Sequence, residues 1–202
     1  NKFKFKNVDA IYFDRVSKVL KSRFKLKALD FKRTKDILPL VDEMFEVFEK
    51  TYSNLSTYVP ITEDQITYFK KKYISFINPE YIKFVMDENN KLIAFAIVMP
   101  SFSSALQKAK GRLFPLGMLR LLKAKKHAKD VTFYLIGVHP DYQNKGITAI
   151  IFDQYTKTFA KKGIINCIRT PELEENESIK KIWANFDPIT HKRRRTYRKN
   201  IQ

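Results

Sequence analysis

Residues 136–151 read Ile-Gly-Val-His-Pro-Asp-Tyr-Gln-Asn-Lys-Gly-Ile-Thr-Ala-Ile-Ile, and this stretch decides the fold. An apolar run over residues 131–138 leads into it and predicts a strand. Pro140 ends that strand because proline has no backbone N–H for a sheet. Residues 143–146 then form a short polar turn. Apolar residues follow at helical spacing: Ile147, Ile150, Ile151, Tyr155 and Phe159. The stretch therefore predicts a strand, a turn that ends in glycine, and a helix.

A turn of this kind can hold an anion. The first N–H groups of a helix have no partner within it, and the helix dipole adds positive potential at the same end. An ordinary strand-to-helix turn with no ligand is the alternative. The pattern Gln143-x-x-Gly146-x-Thr148, after a strand that ends in Val138-x-Pro140, resembles the acyl-CoA motif of the GNAT acyltransferase superfamily. Thr148 stands where that family prefers Gly or Ala: either its hydroxyl donates to a phosphate, or its bulk crowds the phosphate.

The resemblance implies an α/β fold with α+β layering: a central, mixed, twisted sheet of about six to seven strands, with helices on both faces. It also implies that acetyl-CoA, or another acyl-CoA, is the co-substrate. In this family two parallel strands splay apart, the pantetheine arm enters the gap, and backbone N–H groups of the turn hold the pyrophosphate. The residues that the resemblance places at the co-substrate are Ile136, Val138, Gln143, Asn144, Lys145, Gly146, Ile147, Thr148, Ala149 and Asn176.

The composition indicates which classes of partner and which cellular compartment to expect. A formal net charge of +18 over 202 residues indicates anionic partners such as nucleotide phosphates, nucleic acid or an anionic membrane surface, with a solvated lysine-rich surface as the alternative. No RNA-binding aromatic signature or helix-turn-helix pattern occurs, so no specific nucleic acid is expected. Three scattered histidines and a single cysteine, Cys167, exclude a metal site of the usual zinc spacing and an internal disulfide. Without a transmembrane run or a signal peptide, we expect a cytoplasmic protein.

The chain is expected to hold one acyltransferase-like domain, residues 24–202, with an insertion at residues 101–130. Residues 1–23 are interpreted as a linker or the remnant of a preceding region, since the chain begins with Asn1 rather than Met. The run Pro-Glu-Leu-Glu-Glu-Asn at residues 171–176, a Trp-x-x-Phe helix and a closing His-Lys-Arg-Arg-Arg resemble a little-characterised bacterial branch of the GNAT superfamily. Members of that branch carry another domain before this one.

Aromatic residues and the insertion indicate the acceptor side. In the GNAT fold the helix pair around Tyr52 and Tyr58 lies beside the acceptor cleft, so both are candidate substrate contacts; aromatic packing between the helices is the alternative for each. The insertion has an apolar centre with basic flanks, which fits either a lid over the acceptor cleft or a segment on a membrane surface. We expect the lid, with Phe102, Phe114 and Leu116 packed near the cleft, and a small-molecule or lipid-like amine as acceptor.

The resemblance implies transfer of an acyl group, above all acetyl, to an amine by direct attack with general base assistance. Glu172 is the candidate base because it follows the strand that borders the acyl site, and Glu174 and His139 are alternatives. In the family a tyrosine protonates the departing thiolate. Trp183 occupies that position here, and its N–H is only a weak donor. We therefore interpret Trp183 as a residue that packs in the core. Two other functions stay open: a CoA-binding GNAT-fold module that has lost catalysis, and a basic protein that binds anionic membrane or nucleic acid.

Overall fold

The computed structural model describes residues 1–55, 58–74, 77–174, 176–195, 197 and 199. Its strands are β1 (Lys2–Lys4), β2 (Lys27–Asp30), β3 (Ile82–Met86), β4 (Leu92–Pro100), β5 (Asp130–Val138) and β6 (Asn166–Arg169). Its helices are α1 (Ala10–Arg23), α2 (Val41–Tyr52), α3 (Glu63–Phe69), α4 (Ser103–Ala109), α5 (Leu116–His127), α6 (Thr148–Lys162) and α7 (Glu177–Trp183). Among the described residues, no helix combines the length and the apolar composition that crossing a membrane requires.

The strands form one mixed sheet in the order β1-β6-β5-β4-β3-β2. The neighbours β5 and β6 run parallel and are connected by α6, whereas the other neighbouring pairs are antiparallel. Helices lie on both faces. On one face α2 approaches so closely that a Cβ added to Gly137 would lie 3.2 Å from the Thr51 hydroxyl oxygen. On the other face the α6 rings of Tyr155 and Phe159 contact Phe133. The predicted fold class is confirmed.

The first 23 residues belong to the packed fold. Strand β1 pairs with β6, with Phe3 opposite Cys167, and α1 packs on α6. Phe3 and Phe13 are both buried, and their rings contact that of Phe186. Lysine and phenylalanine alternate in β1, so the phenylalanine enters the core while the lysines stay in water. The prediction that residues 1–23 form a linker is therefore wrong.

The insertion forms a hairpin of two helices, α4 and α5, here called the helical hairpin (residues 101–129). Its large apolar side chains point outward: Phe114 is 83% exposed and Leu116 is 58% exposed. The buried residues of α4 and α5 are the small ones: Ala105, Ala109 and Gly117. The expected lid, with Phe114 and Leu116 packed near the cleft, is therefore wrong, because the two helices pack on each other through small residues.

Candidate active site

The two parallel strands splay apart. They are paired as far as Phe133 opposite Arg169, and within the described chain β5 then continues to Val138 beside β4 alone. The register with β4 skips Tyr134, which is the extra residue of a β-bulge. A gap therefore opens on the β6 side of residues 134–138.

Backbone carbonyl groups in this gap accept hydrogen bonds from side chains. The Tyr52 hydroxyl donates to the carbonyl oxygen of Ile136 (2.9 Å), and the Gln143 side-chain amide donates to that of Val138 (3.0 Å). Alternate residues of a strand direct their N–H and C=O groups to the same side, so the N–H groups of Ile136 and Val138 face the gap as well. These side-chain hydrogen bonds can be exchanged for hydrogen bonds to a ligand.

The gap opens into a cleft of about 530 Å³, a size that suits a small-molecule ligand. Every residue predicted to contact the co-substrate lines this cleft except Lys145, and Tyr52 lines it too. The helix α1 contributes Tyr12, Phe13 and Val16 to the lining. These three were missed because their segment was assigned to a linker, although its one-sided apolar pattern was a signal that could have found them.

The turn before α6 lines the cleft and contains backbone N–H groups, those of residues 144–148, that make no hydrogen bond within the described chain. Gly146 has a φ of +76°, a left-handed conformation that glycine adopts without strain. The Lys145 ammonium lies 5.8 Å from the ring centre of Phe24 and 5.2 Å from that of Tyr142. A row of N–H donors beside a positive charge is an arrangement that binds phosphate.

Two polar side chains complete the cleft. Asn176 caps α7, since its Oδ1 accepts a hydrogen bond from the backbone N–H of Ile179 (3.1 Å). Its amide nitrogen remains as a donor to a ligand in the cleft. Thr148 is the first residue of α6, and its hydroxyl has no hydrogen-bond partner among the residues described.

Glu172 lies shortly after β6, near the last strand pair before the gap. Its carboxylate is 3.3 Å from Nη1 of the buried Arg169. Burial raises the pKa of the Glu172 carboxyl, and Arg169 offsets part of that rise. The pKa of the Tyr52 hydroxyl is also raised, by burial first and in smaller part by the negative charge of Glu172. A carboxyl group with a raised pKa beside the strand gap is suited to general base catalysis.

Trp183 belongs to the core. It is 2% exposed, its ring packs against those of Phe133 and Phe152, and the Arg169 guanidinium lies 5.0 Å from its centre. Within the described chain its indole N–H makes no hydrogen bond of good geometry, although it lies close enough to Glu172 to lower the pKa of that carboxyl. The prediction of core packing for Trp183 is confirmed.

The remaining predicted residues do not line the cleft. Glu174 is exposed. His139 accepts a backbone hydrogen bond at Nδ1 (3.3 Å) within the turn that follows β5. Phe102 and Phe114 belong to the helical hairpin, and Tyr58 lines a second cavity of about 340 Å³ between α2 and α3. None of the three candidate bases lines the cleft; Glu172 is distinguished by the burial that raises its pKa and by its ion pair with Arg169, whose backbone pairs with Phe133 next to the gap.

The second cavity is acidic and adjoins the first. Its lining holds four carboxylates, Asp42, Glu46, Glu49 and Glu63, and one lysine, Lys70, which is ion-paired with Asp42 (2.5 Å), so the carboxylates remain in excess. The Phe48 ring separates the two cavities, with its centre 4.6 Å from that of Tyr52 and 6.3 Å from that of Tyr58. In the described part of the chain, no group of three or more His, Cys, Asp or Glu side chains could hold a metal ion.

Known proteins resemble this chain more in fold than in sequence. No protein-family model matches it. It is similar to Protein YghO of Escherichia coli (strain K12), with 24% identity over 162 residues; the match covers 77% of this chain but only 41% of that relative. A similar solved structure is the aminoglycoside antibiotic 6'-N-acetyltransferase AAC(6')-Ih from Acinetobacter baumannii, with a TM-score of 0.53, 12% identity, and coverage of 88% of this chain and 99% of that one. Another is the aminoglycoside acetyltransferase meta-AAC0020 from an uncultured soil metagenomic sample, with a TM-score of 0.52, 13% identity, and coverage of 90% and 99%.

Proposed function

We propose that this chain, which has the fold of the GNAT acetyltransferases, transfers an acyl group, above all acetyl, from acyl-CoA to an amine. The observation that carries the proposal is one continuous cleft that joins the strand gap at Ile136 and Val138 to the N–H-rich turn at residues 144–148. The gap can pair with the amides of a pantetheine arm, and the turn can bind a pyrophosphate. A cytoplasmic location stays a prediction.

The proposed reaction uses three groups of the chain. Strand N–H groups at the gap stabilise negative charge on the thioester oxygen. Glu172 accepts a proton from the amine, whose nitrogen attacks the carbonyl carbon; the C–N bond forms, and the C–S bond breaks to release the CoA thiolate. The raised pKa keeps the Tyr52 hydroxyl protonated, so it can donate a hydrogen bond and then a proton to the departing thiolate; the phenolate regains a proton from solvent, and Glu172 releases the proton that it accepted.

The acceptor class follows from charge. The acidic second cavity lies beside Tyr52 and favours a small, positively charged amine over an anionic acceptor. The names of the two solved acetyltransferases, which refer to aminoglycosides, support a small-molecule amine of this kind. A lipid-like amine is the alternative. A CoA-binding module without catalysis is the second candidate function, favoured by Trp183 at the position where the family has its acid.

A binding and a turnover measurement together test the proposal. Acetyl-CoA and CoA are titrated by calorimetry, and release of the CoA thiol is followed with a panel of polyamines, aminoglycosides and amino sugars. We expect acetyl-CoA to bind, with a KM in the usual range of about 1 μM–1 mM, and at least one amine to be acylated. Binding without turnover on the whole panel would favour the non-catalytic module. Failure to bind either compound would overturn the proposal.

Substitutions at Thr148 decide whether its hydroxyl donates to a phosphate or its side chain crowds the phosphate. We expect both Thr148→Val and Thr148→Ala to weaken acetyl-CoA binding about tenfold or more, since a hydrogen bond to a charged group is worth about 1.5–3 kcal/mol. The reason is that this hydroxyl lines the cleft without a partner in the described chain. Calorimetry gives the affinities. Tighter binding by Thr148→Ala would show instead that the threonine crowds the phosphate.

Tyr52→Phe tests the proposed acid. We expect turnover to fall by about tenfold, because a thiol has an ordinary pKa of about 8.5 and its thiolate leaves with modest help. Acetyl-CoA affinity should not decrease, since the variant frees the Ile136 carbonyl for a ligand. Steady-state thiol release measures the change, and Tyr73→Phe, an exposed tyrosine outside both cavities, is the control. An equal loss in both variants would exclude a specific role for Tyr52.

A further inference from the structure

The helical hairpin concentrates positive charge. Residues 101–129 contain eight lysines and arginines and neither aspartate nor glutamate. These basic residues are Lys108, Lys110, Arg112, Arg120, Lys123, Lys125, Lys126 and Lys129. A segment this basic attracts an extended anionic surface.

The same hairpin exposes an unusual amount of apolar surface. Its exposed large apolar residues are Leu106, Leu113, Phe114, Leu116, Met118, Leu119 and Leu122. Met118, Leu119 and Leu122 recur at helical spacing on α5 and so share one side of it. At the helix contact, a Cβ on Gly117 would lie 2.1 Å from the carbonyl oxygen of Arg112 and 3.3 Å from Ala109 Cβ. Small residues therefore make the internal contact, and the large ones are left for an external surface.

The hairpin lies at the end of the sheet away from the proposed phosphate turn. It leaves and rejoins the sheet where Pro100 pairs with Val131, whereas the turn follows Val138. Val131 and Val138 lie seven positions apart along β5, roughly 23 Å at about 3.3 Å per residue. A surface bound to the hairpin can thus leave the mouth of the cleft at the turn open to solvent.

We propose that the helical hairpin docks this protein on an anionic lipid bilayer. The exposed apolar side chains enter the boundary between headgroups and acyl chains, and the lysines and arginines contact lipid phosphates. Charge argues against a second copy as the occupant, because two such hairpins repel each other. Nucleic acid would use the basic residues but leave the apolar ones in water. The bilayer is the partner that matches both features.

Vesicle sedimentation tests this proposal at physiological salt. The probes are vesicles of phosphatidylcholine with one quarter phosphatidylglycerol, and vesicles of phosphatidylcholine alone. The test variant combines Met118→Ser, Leu119→Ser and Leu122→Ser; it keeps every charge and touches no residue of the cleft. The matched control combines Ile11→Ser and Val19→Ser, two exposed apolar residues of α1 that also lie outside the cleft lining.

We expect the parent and the control to bind the anionic vesicles. The test variant should bind them at least about tenfold more weakly, since three apolar side chains are lost from the interface. Acetyl-CoA affinity should be equal in all three proteins, which separates this proposal from the proposed function. Equal vesicle binding by test variant and parent, or none by the parent, would overturn it. So would sedimentation velocity showing a parent dimer that the test variant abolishes.

A fluorescence measurement reports the insertion directly. Phe114→Cys is labelled with an environment-sensitive dye; Cys167 is buried, and burial raises the pKa of its thiol, so labelling is directed to position 114. We expect a blue shift with the anionic vesicles and little change with phosphatidylcholine alone. No shift while the labelled protein sediments with anionic vesicles would show adsorption by charge alone and would overturn apolar docking.

Discussion

Glu172→Gln should slow acyl transfer about a hundredfold while acetyl-CoA affinity stays unchanged, because general base catalysis contributes about 10²–10⁴-fold. The amide keeps the shape of the side chain but cannot accept the proton of the attacking amine. Glu172 does not line the cleft proposed to hold CoA, so its loss should act on turnover. Thiol release measures the rate, and calorimetry measures the affinity.

The pH dependence of the same variant identifies the group. Burial raises the pKa of Glu172, and Arg169 offsets part of that rise. The carboxylate therefore becomes protonated at a higher pH than a glutamate with the ordinary pKa of 4.5. Since only the carboxylate acts as a base, kcat/KM of the parent should fall as pH decreases through this raised pKa. Glu172→Gln should lack that acid limb. Glu174→Gln is the matched control, since Glu174 is exposed and outside the cleft lining. This variant should keep the turnover of the parent and the same fall of kcat/KM at low pH. Unchanged turnover in Glu172→Gln would remove Glu172 from the mechanism.

Local sequence patterns were sufficient to predict the central elements. The apolar run over residues 131–138 is β5, and the helical spacing after it is α6, since both elements bury the side that their pattern indicates. The gap and turn side of the cleft followed from one motif because the residues that form it are contiguous in sequence. The roles of these residues toward CoA remain predictions.

The pairing of strands that are distant in sequence could not be predicted from local sequence patterns. The strand β1 joins β6 through partners such as Phe3 and Cys167, which lie at opposite ends of the chain. No local pattern shows that pairing, and the α1 side of the cleft was missed with it. Glu172 and Glu174 are likewise both carboxylates after a strand; only the partial burial of Glu172 and its ion pair with Arg169 distinguish them. The apolar and basic pattern of the hairpin fits both a lid and an exposed surface, and the packing of its small residues decides for the exposed surface.

The turn conformation at Gly146 sets the direction of the N–H groups that are proposed to hold the pyrophosphate. Its φ of +76° is left-handed, a region that β-branched residues avoid. A Cβ at this position would meet only Leu20 Cδ1, at the ordinary contact distance of 3.5 Å. The obstacle to a side chain is therefore the backbone conformation and not a collision, so a substitution should reshape the turn and leave the core intact.

Gly146→Val should consequently weaken acetyl-CoA binding about a hundredfold or more while the protein stays folded. Loss of two N–H bonds to a charged group, at about 1.5 kcal/mol each or more, corresponds to that factor. Gly111→Val is the matched control: Gly111 has the same φ of +76°, has no atom within 4 Å of an added Cβ, and lies in the helical hairpin. Both variants carry the same kind of backbone strain, so both should lose similar thermal stability, but only Gly146→Val should lose acetyl-CoA affinity by calorimetry. Unchanged affinity in a folded Gly146→Val protein would show that this turn does not bind the pyrophosphate.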